Sequence, residues 1–200
     1  MKKNNLILTI VLLTVILFST SGYAQTVTIG TQVWTSKNLN LDTYRNGDEI
    51  PQVQDPKAWA NLTTGAWCYY DNDASNGTKY GKLYNCYAVN DPRGLAPVGF
   101  HIPSDAEWSI LTDYLGGEAG TKMKSASGWN GTNSSGGYRY DEGAFYSIGI
   151  GCWWSSSDGN TSDVIALTYA WYRHFTGYDG SVTRSFATKT RGFSVRCLRD

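Results

Sequence analysis

Few side chains in this 200-residue chain could carry out covalent or redox chemistry: it has four cysteines and two histidines. They are Cys68, Cys86, Cys152, Cys197, His101 and His174. No two of the cysteines form a C-x-x-C pair, whereas zinc sites usually take ligands from closely spaced pairs of this kind. We therefore predict no metal site and no cofactor.

A stretch of oxygen-bearing side chains at 71–77, DNDASNG, is the best candidate for a calcium loop. Calcium ligands in such loops occupy alternating positions, as the oxygens do here. An EF-hand loop starting at Asp71 would need glycine at its sixth position and glutamate at its twelfth, where this chain has Asn76 and Lys82. A turn held by Asn and Asp side chains explains the stretch more simply.

Motifs of the well-known catalytic classes are missing from the sequence. It contains no G-x-S-x-G elbow, no H-E-x-x-H motif, no phosphate loop and no dinucleotide fingerprint. Asp141 and Glu142 are adjacent carboxylates in a glycine-rich segment, a pattern typical of solvated charges. His101 could act as a general base, but packing on Trp108 or bonding to the backbone is its simpler role, and His174 carries a weaker signal. We predict that the protein is not an enzyme.

Aromatic rings are the most abundant recognition groups of the chain. Aromatic residues make up 14% of it and charged residues 17%, with a formal net charge of zero. Rings beside amide and carboxylate groups suit the binding of sugars or peptide side chains, while the balanced charge argues against nucleic acid as a partner. The candidate ligand-binding residues lie in loops next to the late strands: Asp158, Asn160, Tyr172, Arg173 and Tyr178.

Residues 1–24 have the pattern of a secretory signal peptide. Lys2 and Lys3 precede the apolar run 6–18, and Gly22 and Ala24 supply small residues for cleavage. The apolar run would form a helix of only about 20 Å, too short for a hydrocarbon core of about 30 Å. We predict cleavage after Ala24, a single domain at 25–200, no membrane insertion after cleavage, and a secreted protein in the periplasm or outside the cell.

An oxidising location favours pairing of the four cysteines into two disulfides. All four lie in the predicted exported part, 25–200. Their spacing allows three pairings and does not choose between them.

The local patterns predict an α+β fold with long ordered loops. A β-hairpin is predicted at 27–35 around Gly30, and a short helix at 80–89. The clearest signal is the capping box from Ser104 to Glu107, which starts a helix that ends at Gly116. Late antiparallel strands are predicted at 164–171, 181–187 and 192–198.

Five sequence segments, in this order along the chain, resemble those of a known family: YGKLYNCYAV, GLAPVGFHIPSDAEWSILTDYLGG, GWNGTNSSG, WWSSSD and GFSVRCLRD. With them the chain resembles, over 27–200, the Fibrobacter succinogenes major paralogous domain (FISUMP), a bacterial exported family. That resemblance implies a fold similar to C-type lectins and to the formylglycine-generating enzyme. The stretch before Gly137 looks shortened relative to the family.

The resemblance also implies one disulfide pairing. Cys68 and Cys197 occupy positions where FISUMP sequences often carry cysteine, and Cys86 and Cys152 do not, so the expected bridges are Cys68–Cys197 and Cys86–Cys152. The cysteine motif of the formylglycine-generating enzyme is not matched, so the resemblance implies a scaffold without that reaction. The sugar-binding Glu-Pro-Asn and Gln-Pro-Asp triplets of calcium-dependent lectins are also missing.

The sequence thus predicts a secreted bacterial recognition module without catalysis, which binds carbohydrate or protein at the cell surface or outside the cell. The alternatives are a structural component of an exported assembly and, with less support, an enzyme of the formylglycine-generating or another type.

Overall fold

The computed structural model of the protein describes residues 25–125, 135–159, 167–175 and 180–200. The predicted signal peptide, 1–24, and the candidate residues Asn160 and Tyr178 lie outside the described residues. No helix within these ranges is long and apolar enough to span a membrane. The described part mixes helices with antiparallel strands, which confirms the predicted α+β class.

Short strands alternate with short helices in the first part of the chain. They are β1 (Thr26–Ile29), β2 (Gln32–Thr35), α1 (Pro56–Ala60), β3 (Trp67–Cys68), α2 (Ala74–Tyr80), β4 (Leu83–Tyr84), α3 (Cys86–Val89), β5 (Phe100–His101), α4 (Asp105–Leu115) and α5 (Ala119–Ser125). The later elements are strands: β6 (Tyr138–Arg139), β7 (Phe145–Tyr146), β8 (Gly151–Asp158), β9 (Tyr169–Phe175), β10 (Thr183–Thr188) and β11 (Leu198–Arg199).

A four-stranded antiparallel sheet, in the order β1-β2-β11-β5, joins the first and last parts of the described chain. Strands β1 and β2 form the predicted hairpin, in which Thr26 pairs with Thr35 and Ile29 pairs with Gln32. Gly30 has a φ of 60° at the turn, a left-handed conformation that glycine adopts at little steric cost. Because β11 lies between β2 and β5, it is held inside the sheet.

Helix α4 begins and ends where the sequence predicts. The Ser104 hydroxyl accepts from the amide of Glu107, and the Glu107 carboxylate accepts from the amide of Ser104, so the predicted capping box is present. Trp108 and Leu111 lie on the apolar side of α4 and are completely buried. The centre of the Trp108 ring lies 4.8 Å from that of Trp34. This packing fixes α4 against the four-stranded sheet.

The predicted helix at 80–89 is wrong in its first half. Helix α2 ends at Tyr80, and Gly81 has a φ of 75°, which breaks the helical path. Strand β4 then pairs with β3, and only the four residues of α3 are helical. The Asn85 side chain accepts from the amide of Ala88 and thereby starts α3.

Strands β10, β9 and β8 form a three-stranded antiparallel sheet in that order. One face packs on α4 through Trp153, whose ring lies 6.4 Å from Trp108. On the other face Trp154 contacts the buried Phe193, with 4.4 Å between ring centres. This sheet therefore has a buried core on parts of both faces.

The segment 192–198 is mostly not a strand, contrary to the prediction. It makes isolated bridges to three different partners: Gly192 with Arg139, Phe193 with Tyr84, and Ser194 with Trp153. Regular pairing starts only at Leu198 in β11. The segment's alternating apolar residues are buried because it passes between several sheets.

The structure describes all four cysteines, and each one is a free, buried thiol. It therefore shows neither Cys68–Cys197 nor Cys86–Cys152 as a disulfide. Cys68 packs in a small cluster with residues such as Trp59, whereas Cys197 belongs to the main core. Cys86 and Cys152 share that main core without being bonded.

Candidate functional site

Strand β9 separates the predicted site residues Tyr172 and Arg173 onto opposite faces of its sheet. Successive side chains in a strand point to opposite faces. Tyr172 and His174 lie on the face that contacts Phe193, while Trp171 and Arg173 lie on the face that contacts α4. The two neighbours therefore have different surroundings and different roles.

Tyr172 belongs to a group of half-buried and exposed rings on this face, which we call the tyrosine cluster. Its members come from β9 and from the hairpin of β6 and β7. They are Tyr138, Tyr140, Tyr146, Tyr172 and His174.

The tyrosine cluster rests on Phe193, which is 1% exposed. The Tyr172 ring lies 4.7 Å from Phe193, and the Tyr138 ring meets it edge-on at 6.0 Å. Tyr146 stacks on Tyr138 at 5.9 Å, and His174 stacks on Tyr172 at 5.4 Å. Each ring thus has a ring neighbour, so the arrangement is held by packing as well as by the backbone.

A buried arginine anchors the hairpin of β6 and β7 that carries three of the tyrosines. Arg139 is 0% exposed and donates to the carbonyls of Gly143, Val53 and Gln54 at 2.9, 2.6 and 2.7 Å. Its guanidinium also lies 4.5 Å from the centre of the Trp59 ring. Because its donors are satisfied and its plane is covered, Arg139 fixes the hairpin against the loop at 53–54.

Arg191 brings a positive charge to the edge of the tyrosine cluster. Its guanidinium lies 3.9 Å from the centre of the Tyr140 ring, in a cation–π contact. The backbone amide of Arg191 donates to Thr188, which closes a turn after β10. Within the described residues, the guanidinium forms no hydrogen bond and no ion pair, and its Nε is shielded from solvent.

Two phenols of the tyrosine cluster and a thiol beside it are neutral at physiological pH. Burial raises the pKa of Tyr138 and of Tyr172, so both phenols stay protonated and can donate hydrogen bonds. Burial also raises the pKa of the Cys152 thiol, which pairs with His174 across the sheet. A protonated thiol is a weak nucleophile, so this face offers contact groups and no activated thiolate.

The remaining cysteines have similar surroundings. Burial raises the pKa of Cys68, Cys86 and Cys197 to about 12. None of them is ionised at neutral pH. Within the described residues, no group of three or more His, Cys, Asp or Glu side chains could hold a metal ion.

Asp158 and Arg173 both form ion pairs instead of standing free. Asp158 ends β8 with an exposed side chain and pairs with Lys189 at 2.6 Å. The Arg173 side chain is only 2% exposed and pairs with Asp105 at 2.5 Å. Arg173 therefore ties β9 to the start of α4 inside the protein, and the interpretation of it as an exposed ligand contact does not match its placement.

A second polar group is centred on His101. His101 bridges two carboxylates, with its Nδ1 2.8 Å from Asp200 and its Nε2 2.9 Å from Glu107. Burial disfavours the charged imidazole, but the bonds to Asp200 and Glu107 outweigh that effect and raise the pKa of His101. His101 borders a cleft of about 440 Å³ that Arg45 also lines. The group links β5, α4 and the last residue of the described chain.

The candidate site also contains Tyr138, Tyr140, Tyr146 and Arg191, which the sequence pattern does not single out. A weak signal is present, since Tyr138 and Tyr140 alternate around Arg139 and Gly143 provides a turn before Tyr146. Nothing local indicates that this hairpin meets β9.

Comparison with known proteins identifies the family. The family model of the Fibrobacter succinogenes major domain matches residues 27–199. This match covers most of the chain, so the protein belongs to that family. No curated protein and no solved structure matches it.

Proposed function

We propose that the protein is an exported, non-catalytic recognition module that binds a carbohydrate or a protein through the tyrosine cluster. The observation that carries this proposal is a contiguous group of four tyrosines and a histidine, of which Tyr138 and Tyr172 pack on buried Phe193. Tyrosine combines a flat apolar face with a polar hydroxyl and loses little conformational entropy on binding. Such rings are frequent in binding surfaces for these reasons.

Rigidity supports a role in binding. The hairpin with Tyr138 is anchored by Arg139, and β9 with Tyr172 is paired on both sides. Side chains that are already ordered before binding lose less freedom when a ligand arrives, which favours affinity. A surface held in this way needs no rearrangement to present its rings.

The proposed location and scaffold of the protein rest on its sequence pattern and its family. The signal-peptide pattern at 1–24 supports a location in the periplasm or outside the cell. A C-type-lectin-like arrangement is consistent with an α+β domain whose first hairpin pairs with its last strand. The relation to the formylglycine-generating enzyme is proposed for the scaffold alone, because the four thiols are buried and protonated.

A structural role in an exported assembly is the second candidate, and a different surface favours it. On the α4-facing side of the sheet, Trp171 meets Phe186 edge-on at 5.7 Å, and Phe186 is 49% exposed. Arg184 covers the Trp171 ring at 3.5 Å. An aromatic surface of this kind suits contact with a partner subunit.

An array of immobilised glycans and proteins tests the proposal. We expect dose-dependent binding by the wild type and a loss of about tenfold or more in affinity for Tyr172→Ala, as for a central interface residue. Tyr114→Ala is the matched control, because Tyr114 is 67% exposed on α4, outside the tyrosine cluster. No binding on the array, together with partners that co-purify and are lost on Phe186→Ala, would favour the structural role instead.

A further inference from the structure

We propose that the ligand of the tyrosine cluster is a saccharide that carries an anionic group, and that Arg191 binds this group. The inference rests on the proposed function and names its class of ligand. Arg191 is the one half-buried arginine of the described residues whose guanidinium donates to no acceptor.

Most other arginines of the described chain have the hydrogen-bond acceptors that Arg191 lacks. Six of them donate to carbonyl or side-chain oxygens: Arg45, Arg93, Arg139, Arg173, Arg184 and Arg196. Arg191 contacts the Tyr140 ring instead, and its Nε has no hydrogen-bond partner. A shielded donor without an acceptor costs free energy unless a ligand satisfies it.

The carboxylates that follow Tyr140 and the one at the end of β8 make other contacts. Asp158 is held by Lys189 at 2.6 Å, and Asp141 accepts from the hydroxyl of Thr188 at 3.3 Å. Glu142 is exposed and lies 3.4 Å from the hydroxyl of Tyr146. None of these carboxylates forms an ion pair with Arg191, so its charge is available to a ligand.

The chemistry around Arg191 fits a saccharide with a carboxylate or sulfate. A guanidinium offers paired donors that match the two oxygens of such a group. Tyr140 and Tyr138 lie beside it, 6.3 Å apart, and their half-buried rings combine apolar surface for the C–H groups of a sugar with hydroxyls for its polar edge. Peptides also dock on aromatic-lined surfaces, so an Asp/Glu-rich peptide is tested beside the saccharides.

Affinity measurements with paired ligands test this inference. The probes are oligogalacturonates, the same oligomers with methyl-esterified carboxylates, and sulfated galactan oligomers with their desulfated forms. We expect binding of an acidic form, with at least tenfold weaker binding of its neutral partner and weaker binding at higher salt. The pair that responds distinguishes a carboxylate from a sulfate.

Variants assign the effect to one side chain. Arg191→Gln should weaken binding of the acidic oligomer at least tenfold and abolish the preference for the acidic over the neutral form. Arg199→Gln removes the same charge from an arginine on β11 that also lies over a ring, at 5.7 Å from Phe100, and should bind as the wild type does. Unchanged thermal unfolding of both variants verifies that the fold is intact.

Three results would overturn the inference, and they are separable from failure of the proposed function. The first is binding that does not depend on the anionic group, either equal for acidic and neutral oligomers or limited to neutral glycans or proteins. If this binding is lost in Tyr172→Ala, recognition by the tyrosine cluster stands and the anionic saccharide is refuted. Arg191-dependent binding of an Asp/Glu-rich peptide, without binding of any acidic oligomer, would refute the saccharide. Absence of binding to every glycan and protein would refute both.

Discussion

Asp105 illustrates how a single residue can hold two elements together. Burial alone would raise the pKa of its carboxyl, but the bonds that it accepts from exposed Arg184 and buried Arg173 pull the pKa below the ordinary value. Removing one partner of a buried pair leaves an uncompensated charge. At the residue scale, ion pairs therefore explain the position of Arg173 better than ligand contact does.

We expect Asp105→Ala to lower the free energy of unfolding by about 3 kcal/mol, since Arg173 would stay buried without its partner. Asp113→Ala, at an exposed position of the same helix, is the control and should change stability by less than about 0.5 kcal/mol. Urea denaturation followed by tryptophan fluorescence measures both. Equal effects of the two substitutions would contradict this role of Asp105.

The contacts of His101 with two carboxylates predict that the free energy of unfolding depends on pH. The pKa of His101 is raised above 6.5 in the folded protein. Its contribution to the free energy of unfolding is therefore complete at pH values below the pKa of the unfolded chain, and it is lost as the pH rises through the pKa of the folded protein. Because the His101 side chain is 39% exposed, the effect should stay below about 1 kcal/mol. The difference in stability between wild type and His101→Gln should shrink from pH 6 to pH 8.5. A difference that grows over this range would contradict the arrangement.

At the scale of elements, the hairpin of β6 and β7 depends on Gly137. This residue has a φ of 66°, and a Cβ there would lie 2.5 Å from the Tyr70 ring and 2.6 Å from the carbonyl of Tyr146. The conformation costs a non-glycine residue about 1 kcal/mol, and the close backbone contact adds to that. The hairpin could not keep its position with a larger residue at 137.

Gly137→Ala should therefore destabilise the protein by about 2 kcal/mol or more and weaken ligand binding, because the close contact displaces Tyr138. Gly99→Ala isolates the conformational cost, since Gly99 has a φ of 80° and a Cβ added there would meet nothing within 4 Å. It should cost only about 1 kcal/mol. Thermal unfolding and the binding assay measure the two effects, and identical results for both variants would argue against the steric role of Gly137.

Local signals explain which elements the sequence predicts correctly. The hairpin at Gly30 and helix α4 are determined by turn residues and by the capping box, all within a few residues of one another. The helix predicted at 80–89 fails at Gly81, where the chain passes so close to the loop at 38–39 that a Cβ would lie 2.6 Å from the carbonyl oxygen of Leu39. The tyrosine cluster was not predictable, because it joins Tyr138 to Tyr172 through Phe193, and those contacts are distant in sequence.

At the scale of the whole molecule, the protein has an interior in which large aromatic residues and arginines are buried together. Trp34, Trp108 and Trp153 fill one core, and Arg139 and Arg173 cross between elements with their donors satisfied. Composition alone predicts that the chain folds and is rich in rings. Which rings lie inside and which remain accessible follows only from the assembled fold.

The four free thiols lead to a prediction about the whole chain. Because they are buried and protonated, we expect no rapid reaction with a thiol reagent in the native protein, and four reactive thiols after denaturation without reductant. Titration with a chromogenic disulfide measures both numbers. Finding no thiols in the denatured sample would contradict the four free thiols, and peptide mapping would then test the pairing Cys68–Cys197 and Cys86–Cys152.

The most direct test of the central claim is a crystal structure of the protein with the ligand that binds most tightly on the glycan and protein array. We expect ligand density in contact with the side chains of Tyr138, Tyr140 and Tyr172. Density in the cleft beside His101, or on the surface of Trp171 and Phe186, with the tyrosine cluster unoccupied, would contradict it.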